Sequence, residues 1–425
     1  MRRTSSEMRR ARLLIGVNVF WLALSLLGDG LNTIVLPHRL FALVDEAHQA
    51  TVLGLITFVG LAVGAAVQPI VGAMSDRNRP RWGRRGAIGL GVLLALPPLA
   101  LFGLAGGLIA ALFGYLLVQL AAGVAQAGQQ ALLPDLIATN RRGIAAGVKG
   151  FMDVLGATLG FVILGQLLGG GGTTPALLVI GAALVLLFLL TVQLTREPVQ
   201  PAACVGRVSV ADAFRFDIRR HRAFASLIAS RFLFLLGTYA VGRFFLFYVA
   251  DRLALDPNDA AAQAGVLLGG LGLITALVAL PAGWAADRIG RVPLMVAGTG
   301  LSAAGVLLLT RASSSTTILL FGGLMALGSA AFSAANWALT ADLVPPAEAA
   351  RFMGLANFGT AGAAAAAGLF GPLVDWANGR DPGTGYTALF VLAAMAFIAS
   401  AVPLRAVVTT APTPLALAGS PEALS

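Results

Sequence analysis

Apolar residues run through the chain in blocks of about 20 or more, parted by short stretches rich in Arg, Asp, Gly, Pro and Thr. A helix needs about 20 apolar residues to cross the ~30 Å hydrocarbon core of a bilayer, so these blocks predict membrane-spanning helices. Between Arg85 and Asp135 lie 49 residues without one formal charge. As helix that stretch reaches about 74 Å, enough for two crossings and a tight turn at Gly106-Gly107. The Gly169–Gly172 run, followed by Thr173, Thr174 and Pro175, parts two more spans. The whole pattern predicts twelve: about 13–36, 49–74, 86–105, 108–133, 144–167, 175–195, 224–249, 263–284, 293–310, 316–341, 352–374 and 385–404. The first follows a basic leader (Arg2, Arg3, Arg9, Arg10, Arg12) like that of a signal peptide. Its apolar run is too long for one and no small-x-small cleavage site follows, so it is read as a retained span.

Composition narrows the class. Hydrophobic residues make up 58% of the 425 and charged residues 11%, where soluble proteins carry about 25% charged. That excludes a soluble enzyme, a nucleic-acid module and a disordered chain. The expected fold class is all-α integral membrane, with the lipid bilayer as a partner. The net charge of +10 is an orientation signal. Of the 29 basic residues, 23 fall in loops on one side of the twelve spans. Four (Arg39, Arg252, Arg311 and Arg380) fall on the other, and Arg231 and Arg243 lie within a span. By the positive-inside rule, both termini are expected in the cytoplasm, at the cell (plasma or inner) membrane. No nucleic-acid partner is implied. One cysteine, Cys204, and three scattered histidines offer neither an internal disulfide nor a metal site, and no cofactor is expected.

The chain repeats itself. Gly72, Asp76 and Arg77 match Gly283, Asp287 and Arg288 at an offset of 211. Gly83-Arg84 matches Gly290-Arg291 at 207, and at that offset Asp135-Leu136 matches Asp342-Leu343 and Gly147 matches Gly354. The unit is six spans long, so both copies face the same way across the membrane, as two like halves. The expected organisation is a basic N-terminus (1–12), a six-helix bundle (13–195), a cytoplasmic linker (196–222), a second bundle (223–405) and a tail (406–425). Two complete halves make a monomer sufficient.

With these residues in view, the sequence resembles the major facilitator superfamily. That family's signature lies between helices 2 and 3 and stands here as Gly72, Asp76, Arg77, Gly83, Arg84 and Arg85. Its weaker echo between helices 8 and 9 stands as Gly283, Asp287, Arg288, Gly290 and Arg291. The spacing of the first copy, with Arg81-Trp82 before Gly83, and the segment Leu133-Pro134-Asp135-Leu136 followed by Arg142-Gly143, are similar to the sucrose/proton symporters and their glycoside–cation relatives. The resemblance implies the major facilitator fold, two pseudo-symmetric six-helix bundles. It also implies that the Asp76 loop latches the halves together when the cavity faces outward. Without the family, the same arginines serve to hold the loop inside.

Four ionisable residues sit within predicted spans: Asp29, Asp153, Arg231 and Arg243. A charge at the centre of a membrane helix costs about 2.5–3.5 kcal/mol, so such residues face a cavity or a partner. Asp29 is flanked by Gly28 and Gly30, which let a helix loosen. Arg243 lies at similar depth in span 7, the counterpart of span 1. The two are expected to meet across the halves. They would form an external gate, or a proton site whose carboxylate is charged beside Arg243 and protonated once Arg243 leaves. Local pairing within each half is the alternative. For Asp153 that means Lys149 at i−4; for Arg231 it means snorkelling to the inner surface. Candidate cavity residues are Asn32, Gln119, Gln126, Asn336 and Asn357, with Trp337 and Tyr239 as aromatic faces for a sugar ring. Gln119 and Gln126, seven apart, share a helix face. The cluster Phe244, Phe245, Phe247 and Tyr248 is expected in the interfacial aromatic belt.

The expected function is secondary transport by alternating access, moving a small organic solute with protons; the resemblance points to a sugar or glycoside. No phosphate-binding loop of the Gly-x-x-x-x-Gly-Lys-Ser/Thr kind occurs, so ATP does not drive it. A proton-coupled drug or metabolite exporter on the same fold is one alternative, and a transport-inactive assembly or sensing protein another. An enzyme is not expected, because no nucleophile–base pair stands among the spans.

Overall fold

The computed structural model describes residues 2–77, 79–138, 141–196, 221–344 and 349–410, which hold helices and turns and, among the described residues, no strand. The predicted linker lies almost wholly outside the described residues, as does most of the C-terminal tail.

Helix α1 runs Arg2–Ser25, widens over Leu26–Val35 and resumes over Leu36–Leu43. A short turn, Glu46–His48, leads into α2 (Gln49–Arg77). Then come α3 (Arg79–Leu104), α4 (Leu108–Leu136), α5 (Arg142–Gly169) and α6 (Thr173–Leu194). The second half holds α7 (Arg222–Leu253), α8 (Pro257–Ile289), α9 (Arg291–Leu309) and α10 (Ser315–Leu343). Helix α11 is in pieces: Ala349–Ala366, a tighter turn over Ala367–Phe370, and Gly371–Asn378. Helices α12 (Thr384–Ser400) and α13 (Leu404–Thr410) finish the described chain.

Twelve passes were expected as twelve similar helices. Eleven are continuous and long enough to cross a membrane among the described residues. The span expected at 352–374 is the exception. Pro372 has no N–H to continue the helical ladder, and the chain tightens into a 3₁₀ turn just before it. Large apolar side chains such as Leu93, Leu178, Leu277 and Leu280 cover the outer faces of the bundle, where a soluble protein would carry charge.

The sequence repeat has a structural meaning. Gly83 and Gly290 both sit at positive φ, +60° and +100°, a turn that only glycine makes without strain. The arginine after each glycine then pairs with the acid ending the next helix. Arg84 Nε lies 2.8 Å from Asp135 Oδ2, and Arg291 pairs with Asp342. At the opposite end, Arg39 of α1 donates to the last carbonyls of α3, Gly103 and Ala105. Arg252 of α7 does the same for Thr310 and Ala312 after α9. The matched residues thus tie helices within a half.

Helices α1 and α7 are the most buried of the spans, and the wide stretch of α1 packs on α7. The aromatic cluster on α7 is core, not belt: Phe244, Phe245, Phe247 and Tyr248 are buried, and Tyr248 Oη donates to Leu309 O at 2.7 Å. A central helix needs apolar bulk on every side, which the sequence pattern alone does not separate from a lipid-facing belt.

Candidate functional site

The halves meet at the end away from the termini, along two seams. In one, α5 crosses α8 with backbones in contact: a Cβ on Gly165 would stand 2.6 Å from Ala261 O, and one on Gly265 2.4 Å from Phe161 O. In the other, α2 crosses the broken part of α11, and a Cβ on Gly54 would stand 2.0 Å from Gly368 O. Without a hydrophobic drive between helices in lipid, such small residues let backbones approach and pack. Asp375, at the end of α11, reaches across and accepts from Ala50 N (3.1 Å) and Thr51 N (2.6 Å), the first turn of α2. His38 Nε2 lies 2.9 Å from Asn258 Oδ1, and Phe41 meets Phe247 edge to face at 5.0 Å.

At the end bearing the termini the same four helices part. A Cβ on Gly72 of α2, Gly147 of α5, Gly283 of α8 or Gly354 of α11 would meet nothing within 4 Å. The cleft is therefore shut at one end and open at the other.

Beneath the shut end, α1 widens. Over Leu26–Val35 the backbone bonds reach five residues back, as where Leu36 N donates to Leu31 O. Gly28 and Gly30 are poor helix formers and loosen this stretch; wide turns of this kind mark functional sites in many helices. Asp29 and Asn32 lie on it. Asn32 Oδ1 accepts from Tyr115 Oη (2.7 Å) and Gln119 Nε2 (3.0 Å), tying α1 to α4. Asp29 is half-buried and makes no ion pair among the described residues.

The other intramembrane charges are placed as follows. Asp153 accepts from Lys149 Nζ (2.7 Å) and Ser25 Oγ (3.2 Å), and the ammonium stands 3.9 Å over the Trp21 ring. Arg231 does not snorkel. It is 6% exposed, donates to Asn336 Oδ1 (2.8 Å) and Thr360 Oγ1 (3.0 Å), and lies 4.0 Å over the Trp337 ring. Arg243 is 5% exposed; its Nη2 reaches Ala364 O only at 3.5 Å, and its Nε and Nη1 have no partner. Tyr239 lies within electrostatic reach of Asp29, Asp153, Arg231 and Arg243. The acids stand on the first half and the arginines on the second, with Tyr239 among them.

Most of the candidates named from sequence converge here: Asp29, Asp153, Arg231, Arg243, Asn32, Gln119, Tyr239, Asn336 and Trp337. Gln126 does not join Gln119. It accepts from Gln68 of α2 at 3.0 Å, and Gln130 donates to Gln68 in turn. Asn357 is exposed, one turn before Thr360. In the loops, Gly72, Gly83, Arg84, Arg85, Gly290 and Arg291 bracket helix ends. Arg85 Nη1 donates to Val192 O and Thr195 O at the end of α6. Asp287 is exposed and Arg288 lies 3.9 Å over Trp284. The side chains of Asp76, Arg77 and Arg81 fall outside the described residues. Sequence reasoning missed Tyr115, although it stands at i−4 from Gln119 on one face. It also missed Asp375, for which nothing local signals a partner on α2.

Two like six-helix halves, closed at one end around a charged centre and open at the other, define a secondary membrane transporter. The chain matches the family model described as MFS/sugar transport protein over residues 42–412, and it belongs to that family. It is 25% identical over 302 residues to the multidrug resistance protein MdtG of Enterobacter lignolyticus (strain SCF1), covering 67% of this chain and 68% of that one. The solved structure of the nucleoside transporter NupG aligns over 94% of this chain and all of its own, with 14% identity and a TM-score of 0.69. A bacterial homolog of the human lysosomal transporter spinster, in an inward-facing and occupied conformation, aligns over 94% and 95%, with 14% identity and a TM-score of 0.68. These structural likenesses concern the fold. The protein is an integral membrane transporter of the major facilitator superfamily, with the fold of transporters and not of enzymes.

Proposed function

We propose that the protein takes up a small hydroxylated organic solute, of the sugar or glycoside kind, together with protons by alternating access. The observation that carries the reading is the pair of ionisable side chains without an ion-pair partner among the described residues, Asp29 on the first half and Arg243 on the second, within electrostatic reach of each other. Buried charges without partners are expensive. Two of opposite sign on bodies that rock against each other are therefore well suited to pair in one state and part in another. With the arginine-rich loops read as cytoplasmic, the open end is the cytoplasmic one and the shut end is an external gate. Asp29 holds the proton while Arg243 is away and releases it when Arg243 returns. The family description and the Asp76 loop support the sugar class.

The likeness to MdtG favours a second reading, export on the same fold. A pH-jump experiment in proteoliposomes tests the coupling and the direction. Asp29→Asn is expected to abolish proton-driven accumulation by at least about tenfold while leaving solute counterflow running. Retained proton-driven uptake in both Asp29→Asn and Arg243→Gln would rule the pair out.

A further inference from the structure

Arg243 carries a second message, about the solute. Its guanidinium is buried under the shut end, with Nε and Nη1 bare and Nη2 on one long bond to Ala364 O. Among the described residues, other basic side chains of the helices have acceptors. Arg231 has Asn336 and Thr360, Lys149 has Asp153, and Arg39 and Arg252 have helix-end carbonyls. Asp29, the acid within electrostatic reach, stands on the opposite half and makes no ion pair with it among the described residues. Tyr115 and Tyr239, also near, bring hydroxyls and no charge at neutral pH.

A carboxylate grips a guanidinium side-on through Nε–H and the neighbouring Nη2–H; here Nε is bare and Nη2 has only the long contact to Ala364 O, so that edge is left to take one. We infer that the transported solute carries a carboxylate that docks on Arg243 through these groups. The solute is then a hydroxy acid and not a neutral sugar, its hydroxyls meeting the polar side chains below. The inference rests on the transport reading above and narrows its substrate class. It also gives Arg243 a reason to stay charged and unpaired in the empty state, because a carboxylate that competes with Asp29 for it links solute arrival to gate movement.

The test uses the full-length protein in proteoliposomes, with matched probes that differ only in the acid: D-gluconate against D-glucitol, glycerate against glycerol, lactate against propane-1,2-diol. Thermal stabilisation and counterflow are read for each pair. At least one acid is expected to bind and exchange roughly tenfold or more better than its alcohol. Arg243→Lys, which keeps the charge and loses the fork, is expected to weaken that preference, and Arg243→Gln to erase it. The wild-type comparison is decisive even if a variant fails to fold. Neutral solutes that exchange as well as every acid overturn the inference and leave the transporter reading standing. Absence of exchange for any solute, these and neutral glycosides included, overturns both.

Discussion

Helices α2 and α8 are the same element in the two halves, yet their first turns are held differently. Helix α8 opens on Asp256-Pro257, and Asp256 caps its own helix by accepting from Asn258 N and Asp259 N at 2.9 and 3.1 Å. Helix α2 opens on His48-Gln49, with no capping side chain of its own, and borrows Asp375 from the other half. The same contrast recurs. Helix α7 is one unbroken α-helix of 32 residues while its counterpart α1 widens at Asp29; α5 is continuous while its counterpart α11 breaks at Pro372. What the halves share ties each half together, and what they do not share lies where the halves meet. The repeat makes two bodies, and the departures from it make the mechanism.

The comparison breaks most sharply at the paired loops. Arg84 is nearly buried (7% side-chain exposure) and Asp135 partly so, whereas Arg291 and Asp342 are 27% and 55% exposed. Arg84→Ala is expected to destabilise the protein by about 3 kcal/mol by stranding a charged, partly buried partner. Arg291→Ala is expected to cost about 0–1 kcal/mol. Equal losses, read from unfolding in detergent, would mean that the two loops carry equal load.

A smaller and symmetric effect is expected at the glycines. Gly83→Ala and Gly290→Ala each force a side chain into a backbone region that favours glycine, at about 1–3 kcal/mol. A thermal shift at one site and none at the other would show that only one half depends on that turn.

The smallest change in stability is expected at the caps, and it separates the halves by kind. Asp256→Ala removes a local cap and costs about 0.5–2 kcal/mol without moving the two halves. Asp375→Ala removes a contact that joins the two halves at the shut end. It is expected to raise labelling of a cysteine at Thr51, in a Cys204→Ser background, by up to roughly tenfold. Unchanged labelling would reduce Asp375 to an ordinary cap.

Much of the fold was legible because its causes are local in the chain. Apolar blocks of membrane length mark the passes, and the offset shared by Gly83, Arg84 and Asp135 with Gly290, Arg291 and Asp342 marks the two halves. The site was legible in part, since charges inside apolar blocks stand out: Asp29, Asp153, Arg231 and Arg243 were all found that way. The broken eleventh span was harder, because Pro372 lies where other spans tolerate proline, as α2 does at Pro69 and α4 at Pro134. Gln126 and Asn357 look like Gln119 and Asn336 in sequence, and only their neighbours separate them.

The amino-acid order by itself determined that this is a membrane protein of twelve passes in two like halves, because hydrophobicity and repetition are written along the chain. Only the tertiary structure decided which end of the cleft is shut, that Lys149 answers Asp153, that Arg231 is held by Asn336 and Thr360, and that Asp29 and Arg243 are left unanswered. Those outcomes depend on side chains often more than 100 positions apart and on backbones that touch where glycines cross, and neither composition nor periodicity carries that information.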